Sequence, residues 1–160
     1  MMQVCPCRFV RTAPRTARPA WPFLTPTCPC PFSPERPAFG AWLDSEDGAA
    51  EYLVVEDASG IVACGGLWFS QDVQRPAGFA WGMVHPDRQR QGIGAQLARV
   101  RLSRLRELGV PLAALDTSQW TAPFYARLGF REVRRTPDGY GPGLDRVDMT
   151  LDLTDEAQEE

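Results

Sequence analysis

Hydrophobic and polar positions follow a regular pattern from about residue 51 onward. The runs Tyr52–Val55 and Ile61–Phe69 are rich in β-branched and aromatic residues, and Asp57–Gly60 between them has the composition of a turn. A third run of this kind, Phe79–Val84, stops just before Pro86. The pattern therefore predicts three strands, with a tight turn between the first two.

After these strands, the apolar residues recur at the spacing of a helix. The pattern starts near Gly92 and Gly94, and Gly109 and Pro111 end it. Its apolar positions lie on or near one face and are Ile93, Leu97, Val100, Leu105 and Leu108. The spacing predicts one long amphipathic helix.

A second, shorter helix is predicted further along the chain. Leu112–Asp116 has the composition of a buried strand, and the segment Thr121–Phe130 follows it. In that segment Thr121 suits the N-cap, Pro123 suits the first turn and Gly129 suits the C-terminal stop. The order predicts a buried strand followed by one short helix.

Two closing strands complete the pattern. Phe130–Arg135 and Arg146–Leu153 have strand composition, and the glycine-rich segment Thr136–Asp145 is expected to join them as a loop. The acidic residues 155–160 are expected to form a frayed tail. Strands arranged around two helices indicate a mixed α/β or α+β sheet fold for residues 41–154.

Residues 1–40 differ from the rest of the chain. They contain nine of the fifteen prolines and four of the five cysteines, so an irregular Pro/Cys-rich segment is expected, with one short strand at Cys7–Arg11. The cysteines form two Cys-Pro-Cys pairs, Cys5–Cys7 and Cys28–Cys30. A four-thiolate zinc site is conceivable, but one intervening proline is a poor spacing for two ligands of one ion. We therefore expect no metal, and a poorly specified extension is the other interpretation.

Composition excludes several classes of function. The net charge is −3, which predicts no nucleic-acid partner, and no apolar run reaches membrane-spanning length. The chain has no lysine, which excludes Schiff-base chemistry and a lysine-dependent phosphate loop. Its single histidine, His85, leaves little material for histidine metal sites or hydrolase triads. These features are typical of a cytoplasmic globular protein with no membrane partner.

Charge is distributed unevenly around the two glycines. Residues 44–72 contain seven acids and no base, whereas residues 73–109 contain seven arginines against Asp87 and Glu107. Glycines at the start of a helix let an anion approach unpaired backbone N–H groups, and Arg88 and Arg90 add positive charge. The segment predicts a phosphate site, and a solvated arginine face on a surface helix is the alternative. A dinucleotide fingerprint does not fit, because Leu97 stands where its third glycine would be.

The six residues Gln89-Arg90-Gln91-Gly92-Ile93-Gly94 match the pattern Gln/Arg-x-x-Gly-x-Gly/Ala. With this motif the sequence resembles the GCN5-related N-acetyltransferase (GNAT) superfamily, whose corresponding loop binds the pyrophosphate of acetyl-coenzyme A. The downstream segment Ala122–Phe130 is similar to a second family motif, in which a tyrosine precedes a Gly-Phe pair by four residues. The resemblance covers roughly residues 51–153. It implies a mixed, mostly antiparallel central sheet flanked by helices.

The resemblance also implies roles for particular residues. Tyr125 falls on the family's general acid, which protonates the departing thiolate; the alternative is an aromatic ring that packs beside Phe124 and Phe130. Ser118 stands where many members have an asparagine that contacts the cofactor, and Ala113 stands where some members have a glutamate base. Further cofactor-binding positions implied by the family are the backbones of Gly82, Met83, Val84, Gln89, Arg90, Gln91, Gly92, Ile93 and Gly94.

The implied activity is acetyl-CoA-dependent N-acetyltransfer. Acetyl-CoA is the co-substrate, and the acetyl group moves directly to a primary amine of a small molecule or peptide. Candidate general bases are Asp116, Glu56 and Asp72. A non-catalytic acyl-CoA-binding module of the same fold stays open as an alternative, and so does an interaction protein whose acidic residues 44–57 dock a basic partner. A homodimer is a further possibility.

Overall fold

The computed structural model describes residues 8–12, 41, 52–70 and 76–154. Its strands occur in the order β1-β2-β3-β4-β5-β7-β6 in one seven-stranded sheet. The β4–β5 pair is parallel, and the pairs β1–β2, β2–β3, β5–β7 and β6–β7 are antiparallel. The strands are β1 (Arg8–Thr12), β2 (Tyr52–Asp57), β3 (Gly60–Trp68), β4 (Ala77–Val84), β5 (Leu112–Ser118), β6 (Arg131–Gly141) and β7 (Leu144–Asp152).

Within the described parts of residues 52–154, two helices and one short turn of 3-10 helix accompany the strands. The 3-10 turn is Pro86–Arg88, α1 is Ile93–Glu107 and α2 is Ala122–Ala126. The expected mixed, mostly antiparallel α+β fold is confirmed. The chain divides into two compact units, of which the first comprises residues 1–68 and 80–101 and the second residues 69–79 and 102–160.

The core of the first unit lies between the β2–β3 hairpin and the start of α1. β-branched and aliphatic side chains of both strands pack against the first apolar side chains of the helix. This packing excludes water from the space between the hairpin and the helix. Val84 and Val100, each half-buried, pack against this cluster. Its buried members are Leu53, Val55, Val62, Ala63, Ile93 and Leu97.

The second unit is built on β5, β7 and β6. β7 is antiparallel to both neighbours, and Val147 and Met149 are 0 % and 2 % exposed. Phe79 of β4 and Phe130, just before β6, are also buried, and their ring centroids lie 5.6 Å apart. β6 is exposed along almost its entire length, because it pairs only with β7 in the described sheet.

Most predicted elements match the structure. The three early strands, Leu112–Asp116 and both helices are found within a few residues of their expected bounds, and the short strand expected at Cys7–Arg11 is β1. Gly92 and Gly109, at the two ends of α1, have φ of +82° and +70°, which explains why glycine bounds this helix. The rest of the Pro/Cys-rich segment, including both Cys-Pro-Cys pairs, and the tail at 155–160 lie outside the described residues.

Two expectations were wrong, whereas Thr121 is the N-cap residue of α2 as predicted. Thr136–Asp145 is not a long loop, because β6 continues to Gly141 and β7 begins at Leu144. The strands are extended there by side-chain bonds within the hairpin, in which Asp138 accepts from the Gly143 N–H at 2.6 Å. Leu108 is 46 % exposed, since it lies beyond the last residue of α1. Thr121 occupies the N-cap position of α2 but its side chain makes no capping hydrogen bond.

Candidate functional site

The loop before α1 has the backbone geometry of an anion site. Arg90 and Gly92 have φ of +59° and +82°, so left-handed residues alternate along the loop. Such alternation turns successive N–H groups toward one concave side, and the first turn of α1 adds N–H groups without helical acceptors. A Cβ atom at Gly92 would meet nothing within 4 Å. The loop therefore presents bare backbone and the positive end of a helix dipole to open space.

Apolar packing fixes the start of α1. Ile93 is the first helical residue and is 2 % exposed, and Leu97 one turn later is 1 % exposed. Both side chains belong to the core cluster of the β2–β3 hairpin. Ile93 lies between the two glycines of the motif, so the same hexapeptide supplies both the open backbone and its anchor.

Hydrogen bonds within the loop hold its shape. The His85 N–H donates to the Val62 carbonyl at 2.8 Å, which ties the end of β4 to β3. Gln89 Nε2 donates to the Val84 carbonyl at 3.3 Å, and Gln91 Nε2 donates to the Asp87 carbonyl at 3.2 Å. Both glutamines thus use their side chains to stabilise the loop. Their predicted contacts with the cofactor are through the backbone. The Gln89 N–H already donates to the Pro86 carbonyl at 3.3 Å, whereas the side-chain bond of Gln91 does not use the Gln91 N–H.

The two arginines of the loop have different surroundings. Arg88 Nη2 lies 2.9 Å from Asp57 Oδ2 and donates to Ser59 Oγ at 3.1 Å, so its charge is paired with the β2–β3 turn. The hydrogen bond from the Ser59 hydroxyl is the main cause that lowers the pKa of Asp57, and the guanidinium of Arg88 adds to it. Arg90 is exposed.

β4 carries the second group of predicted cofactor contacts. Gly82 is exposed, and Met83 and Val84 are half-buried. Trp81, immediately before them, has φ of +47°, a left-handed conformation that is rare for an aromatic residue. Its carbonyl accepts a hydrogen bond from the Tyr52 hydroxyl at 3.3 Å. Backbone strain of this kind is common at ligand-binding positions, so it makes this segment a candidate site.

Sequence reasoning missed a buried charged residue behind this strand. Arg101 is 2 % exposed and is the one buried polar or charged residue among those the structure describes. In the sequence it counts only as one of the seven arginines of residues 73–109, for which a solvated face on a surface helix is the alternative to a phosphate site. The available signal was its spacing, four residues after Leu97 and four before Leu105, which places it on the apolar face of α1.

The second unit contains the other predicted site residues. Tyr125 is half-buried on α2, and its ring lies against three phenylalanines, with centroid distances of 5.0 Å to Phe124, 5.8 Å to Phe130 and 6.3 Å to Phe79. The aromatic packing considered as an alternative is therefore present, and the ring is still partly accessible. Ser118 ends β5, with its Oγ 3.4 Å from Thr121 Oγ1.

The candidate bases differ in what surrounds them. Asp116 accepts a hydrogen bond from the Tyr140 hydroxyl, and its Oδ1 lies 3.8 Å from Arg146 Nη2. Arg146 also donates to Asp148 at 2.8 Å, which is the main cause that raises the pKa of its guanidinium. Glu56 is half-buried near the end of β2. Asp72 lies outside the described residues.

Cys64 has no features of a nucleophile. It is fully buried in β3, and burial raises the pKa of its thiol to about 11. The described part of the chain contains no group of three or more His, Cys, Asp or Glu residues that could hold a metal ion. Among the helices described, none is both long and apolar enough to cross a bilayer.

Comparison with known proteins agrees with this geometry. A sequence model of the acetyltransferase (GNAT) domain family matches residues 48–132, more than half of the chain. The fold is similar to the ribosomal-protein-S18-alanine N-acetyltransferase of Escherichia coli, with 19 % identity, a TM-score of 0.76 and coverage of 96 % of this chain and 98 % of that one.

Two further structures share the fold. A GNAT family acetyltransferase from Elizabethkingia anophelis with acetyl-CoA bound has 15 % identity and a TM-score of 0.66, covering 91 % of this chain and 97 % of its own. A spermidine/spermine N-acetyltransferase from Vibrio cholerae, in complex with manganese ions, has 16 % identity and a TM-score of 0.67, covering 92 % of each chain. The family match confirms the expected enzyme class, an acyltransferase. The chain belongs to the GNAT family of acetyltransferases.

Proposed function

We propose that this protein transfers the acetyl group of acetyl-CoA directly to a primary amine of a small molecule or peptide. The observation that carries the proposal is the alternation of left-handed backbone at Arg90 and Gly92 at the N-terminus of α1. Phosphate is the ligand chemistry that such a turn and helix dipole favour. We assign the whole activity to residues 41–154, a range that contains the family match to residues 48–132.

The proposed binding roles follow the two segments of the first unit. The backbone N–H groups from Gln89 to Gly94 bind the pyrophosphate, and Arg90 adds charge. The backbone of Gly82, Met83 and Val84 pairs with the pantetheine arm and faces the thioester carbonyl. In the second unit, Ser118 supplies a hydroxyl to the cofactor.

The proposed transfer is a single displacement. The neutral amine attacks the thioester carbonyl carbon, a C–N bond forms and the C–S bond breaks, so coenzyme A departs as a thiolate. Tyr125 donates its hydroxyl proton to that sulfur and later recovers one from water. The amine nitrogen loses its proton to water or to a carboxylate. Glu56 and Asp72 stay candidates, whereas Asp116 is less suited because Tyr140 already donates to it.

The acceptor class is drawn from the chemistry of similar proteins. By their names, the similar proteins from Escherichia coli and Vibrio cholerae act on a ribosomal-protein alanine and on spermidine or spermine. Amines on peptides and on small polyamines are therefore the first candidates. Cytoplasmic location and a homodimer stay predictions.

Two measurements test the proposal. Isothermal titration with acetyl-CoA should give saturable binding at one site per chain, and absence of binding would contradict the phosphate-site assignment. Release of free coenzyme A thiol should then be measured across a panel of peptide N-termini, polyamines and simple primary amines. Binding without thiol release from any amine would favour the alternative, a non-catalytic acyl-CoA-binding module of the same fold.

A further inference from the structure

Arg101 lies on the buried face of α1, behind the exposed backbone of β4. Its neighbours one turn away, Leu97 and Leu105, are 1 % and 0 % exposed, and Arg101 itself is 2 % exposed. Nε donates to the Leu97 carbonyl at 3.4 Å and Nη1 donates to the Gly66 carbonyl at 3.5 Å. Burying a guanidinium removes its hydration, which costs free energy that the fold must offset. Because its burial is unfavourable in free energy, Arg101 is a candidate for a role beyond packing of the core.

Two glycines on β3 and β4 make room for the guanidinium. A Cβ atom at Gly65 would lie 3.0 Å from Arg101 Nη1 and 3.3 Å from the Cα of Gly82. A Cβ atom at Gly82 would lie 3.2 Å from Arg101 Nη2. Both distances are shorter than ordinary van der Waals contact, so the guanidinium fills the space that side chains at these positions would occupy. The backbone of Gly82 therefore rests directly on Arg101.

Tyr52 contacts the same stretch of β4 one residue earlier. It is 1 % exposed, and its hydroxyl donates to the Trp81 carbonyl at 3.3 Å. Burial raises the pKa of Tyr52 well above its usual value of 10.0, against a smaller opposite effect of the Arg101 charge, so the hydroxyl keeps its proton. A left-handed aromatic residue such as Trp81 persists only where its surroundings over-determine the backbone.

We propose that Arg101 and Tyr52 are positioning residues that set the backbone of Trp81 and Gly82 in the conformation that receives the acetyl thioester. This inference rests on the proposed function, which places the thioester at Gly82. Gly82 is exposed, and the guanidinium of Arg101 packs against its other side. The backbone that a ligand contacts there is therefore fixed in position. Coenzyme A lacks the acetyl group that Gly82 is proposed to receive, and its pyrophosphate is proposed to bind the separate loop at 89–94. The pair should therefore control acetyl transfer more than cofactor affinity.

Three substitutions in the full chain disturb this arrangement by different routes. Arg101→Met removes the charge and the forked donor at similar length, Tyr52→Phe removes one hydroxyl, and Gly65→Ala pushes the guanidinium away while leaving its charge. Arg99→Met is the matched control, because it makes the same change at an exposed position of the same helix. For each variant we would measure kcat, KM for acetyl-CoA, the Kd of coenzyme A and the melting temperature.

We expect kcat to fall at least tenfold for Arg101→Met and Gly65→Ala, and severalfold for Tyr52→Phe, because displacement of a reacting group by about 1 Å costs up to 10²-fold. The Kd of coenzyme A should stay within about twofold, and Arg99→Met should match wild type.

Different outcomes overturn different statements. If kcat of the folded variants equals wild type while only the melting temperature falls, Arg101 and Tyr52 merely stabilise the core and the inference is wrong. A parallel loss of coenzyme A affinity and kcat also overturns it. If wild type binds acetyl-CoA but acetylates no amine, the proposed function fails. The positioning inference is then tested by the ratio of acetyl-CoA affinity to coenzyme A affinity, because kcat cannot be measured. An unchanged ratio in Tyr52→Phe and Arg101→Met would then overturn the inference as well, and absence of any binding by wild type removes both.

Discussion

Substitution of Gly92 separates the demands of the fold from those of the ligand. Gly92 has φ of +82°, and a Cβ atom there would meet nothing within 4 Å. In the free protein, Gly92→Ala therefore adds only backbone strain, roughly 1–2 kcal/mol, part of which is offset by the stiffer unfolded chain. Gly109 is the matched control, since it ends the same helix with φ of +70° and equally open space around its Cβ. Both alanine variants should lose about 1 kcal/mol of unfolding free energy.

Affinity for acetyl-CoA should distinguish the two variants. At Gly92 the added methyl group stands between the ligand and the backbone N–H groups, so Gly92→Ala should weaken binding about threefold or more. Gly109→Ala should leave the Kd within about twofold. Comparison of Gly92→Asn with Gly92→Asp then measures the effect of charge alone, because the two side chains have nearly the same shape and both tolerate left-handed backbone.

The charge effect can be bounded from Coulomb's law. A carboxylate about 4 Å from a phosphate is repelled by roughly 1 kcal/mol in water and by about 4 kcal/mol at the effective dielectric constant near a protein surface. Even the lower part of that range makes Gly92→Asp bind about tenfold more weakly than Gly92→Asn, which corresponds to about 1.4 kcal/mol. Salt should narrow the gap, since the screening length is about 10 Å at 0.1 M.

Isothermal titration at two salt concentrations, with melting temperatures for all four variants, is the decisive assay. The reasoning is refuted if Gly92→Asp and Gly92→Asn bind acetyl-CoA equally well while both remain folded. It is also refuted if Gly92→Ala and Gly109→Ala lose affinity to the same extent, because the loss would then follow stability and not the anion site.

Three further predictions concern separate features. Tyr125→Phe should lower kcat about 10²-fold with acetyl-CoA affinity nearly unchanged, and a kcat within about twofold of wild type would leave Tyr125 a packing residue. Asp57→Asn should strengthen acetyl-CoA binding about two- to fivefold, because it leaves the positive charge of Arg88 unpaired next to the loop at 89–94, whereas Asp87→Asn, the same change at a side chain that is 88 % exposed in the 3-10 turn, should not; equal effects would contradict this. Cys64, with its thiol pKa raised to about 11, should be alkylated at pH 8 roughly 100-fold more slowly than an ordinary thiol, as judged by site-resolved mass spectrometry, and fast labelling in the folded protein would disprove its burial.

The elements that were predicted correctly are determined by residues close together in the sequence. Helix α1 lies between two glycines with left-handed backbone, and the β2–β3 hairpin follows from two apolar runs around a short turn. Such features depend on residues that are close in the chain, so composition and spacing reveal them. The backbone geometry of the loop at 89–94 was also predictable, because a helix N-terminus and two glycines lie within one hexapeptide.

Features that depend on distant partners could not be read in the same way. The long β6–β7 hairpin is stabilised by side-chain bonds across it, such as Asp145 Oδ1 accepting from the Asp138 N–H at 3.1 Å. The glycine-rich composition of this segment concealed them. Arg101 is a sharper case, because its burial requires glycine at two positions of the sheet, one of them 36 residues away in sequence. No window of local sequence contains both the arginine and its glycines.

The strained residues give an independent indication of where the first unit meets its ligand. Three non-glycine residues among those the structure describes have positive φ: Trp81, Arg90 and Asp138. Asp138 is explained by its hairpin, where its carboxylate accepts from the Gly143 N–H. Trp81 and Arg90 lie in β4 and in the loop at 89–94, the two segments proposed for acetyl-CoA. The Trp81 carbonyl accepts from the Tyr52 hydroxyl, and the side chains on either side of Arg90, those of Gln89 and Gln91, donate to backbone carbonyls. The fold maintains these strained conformations without a ligand, so ligand binding does not have to supply the free energy that imposes them. A site with this property is preorganised.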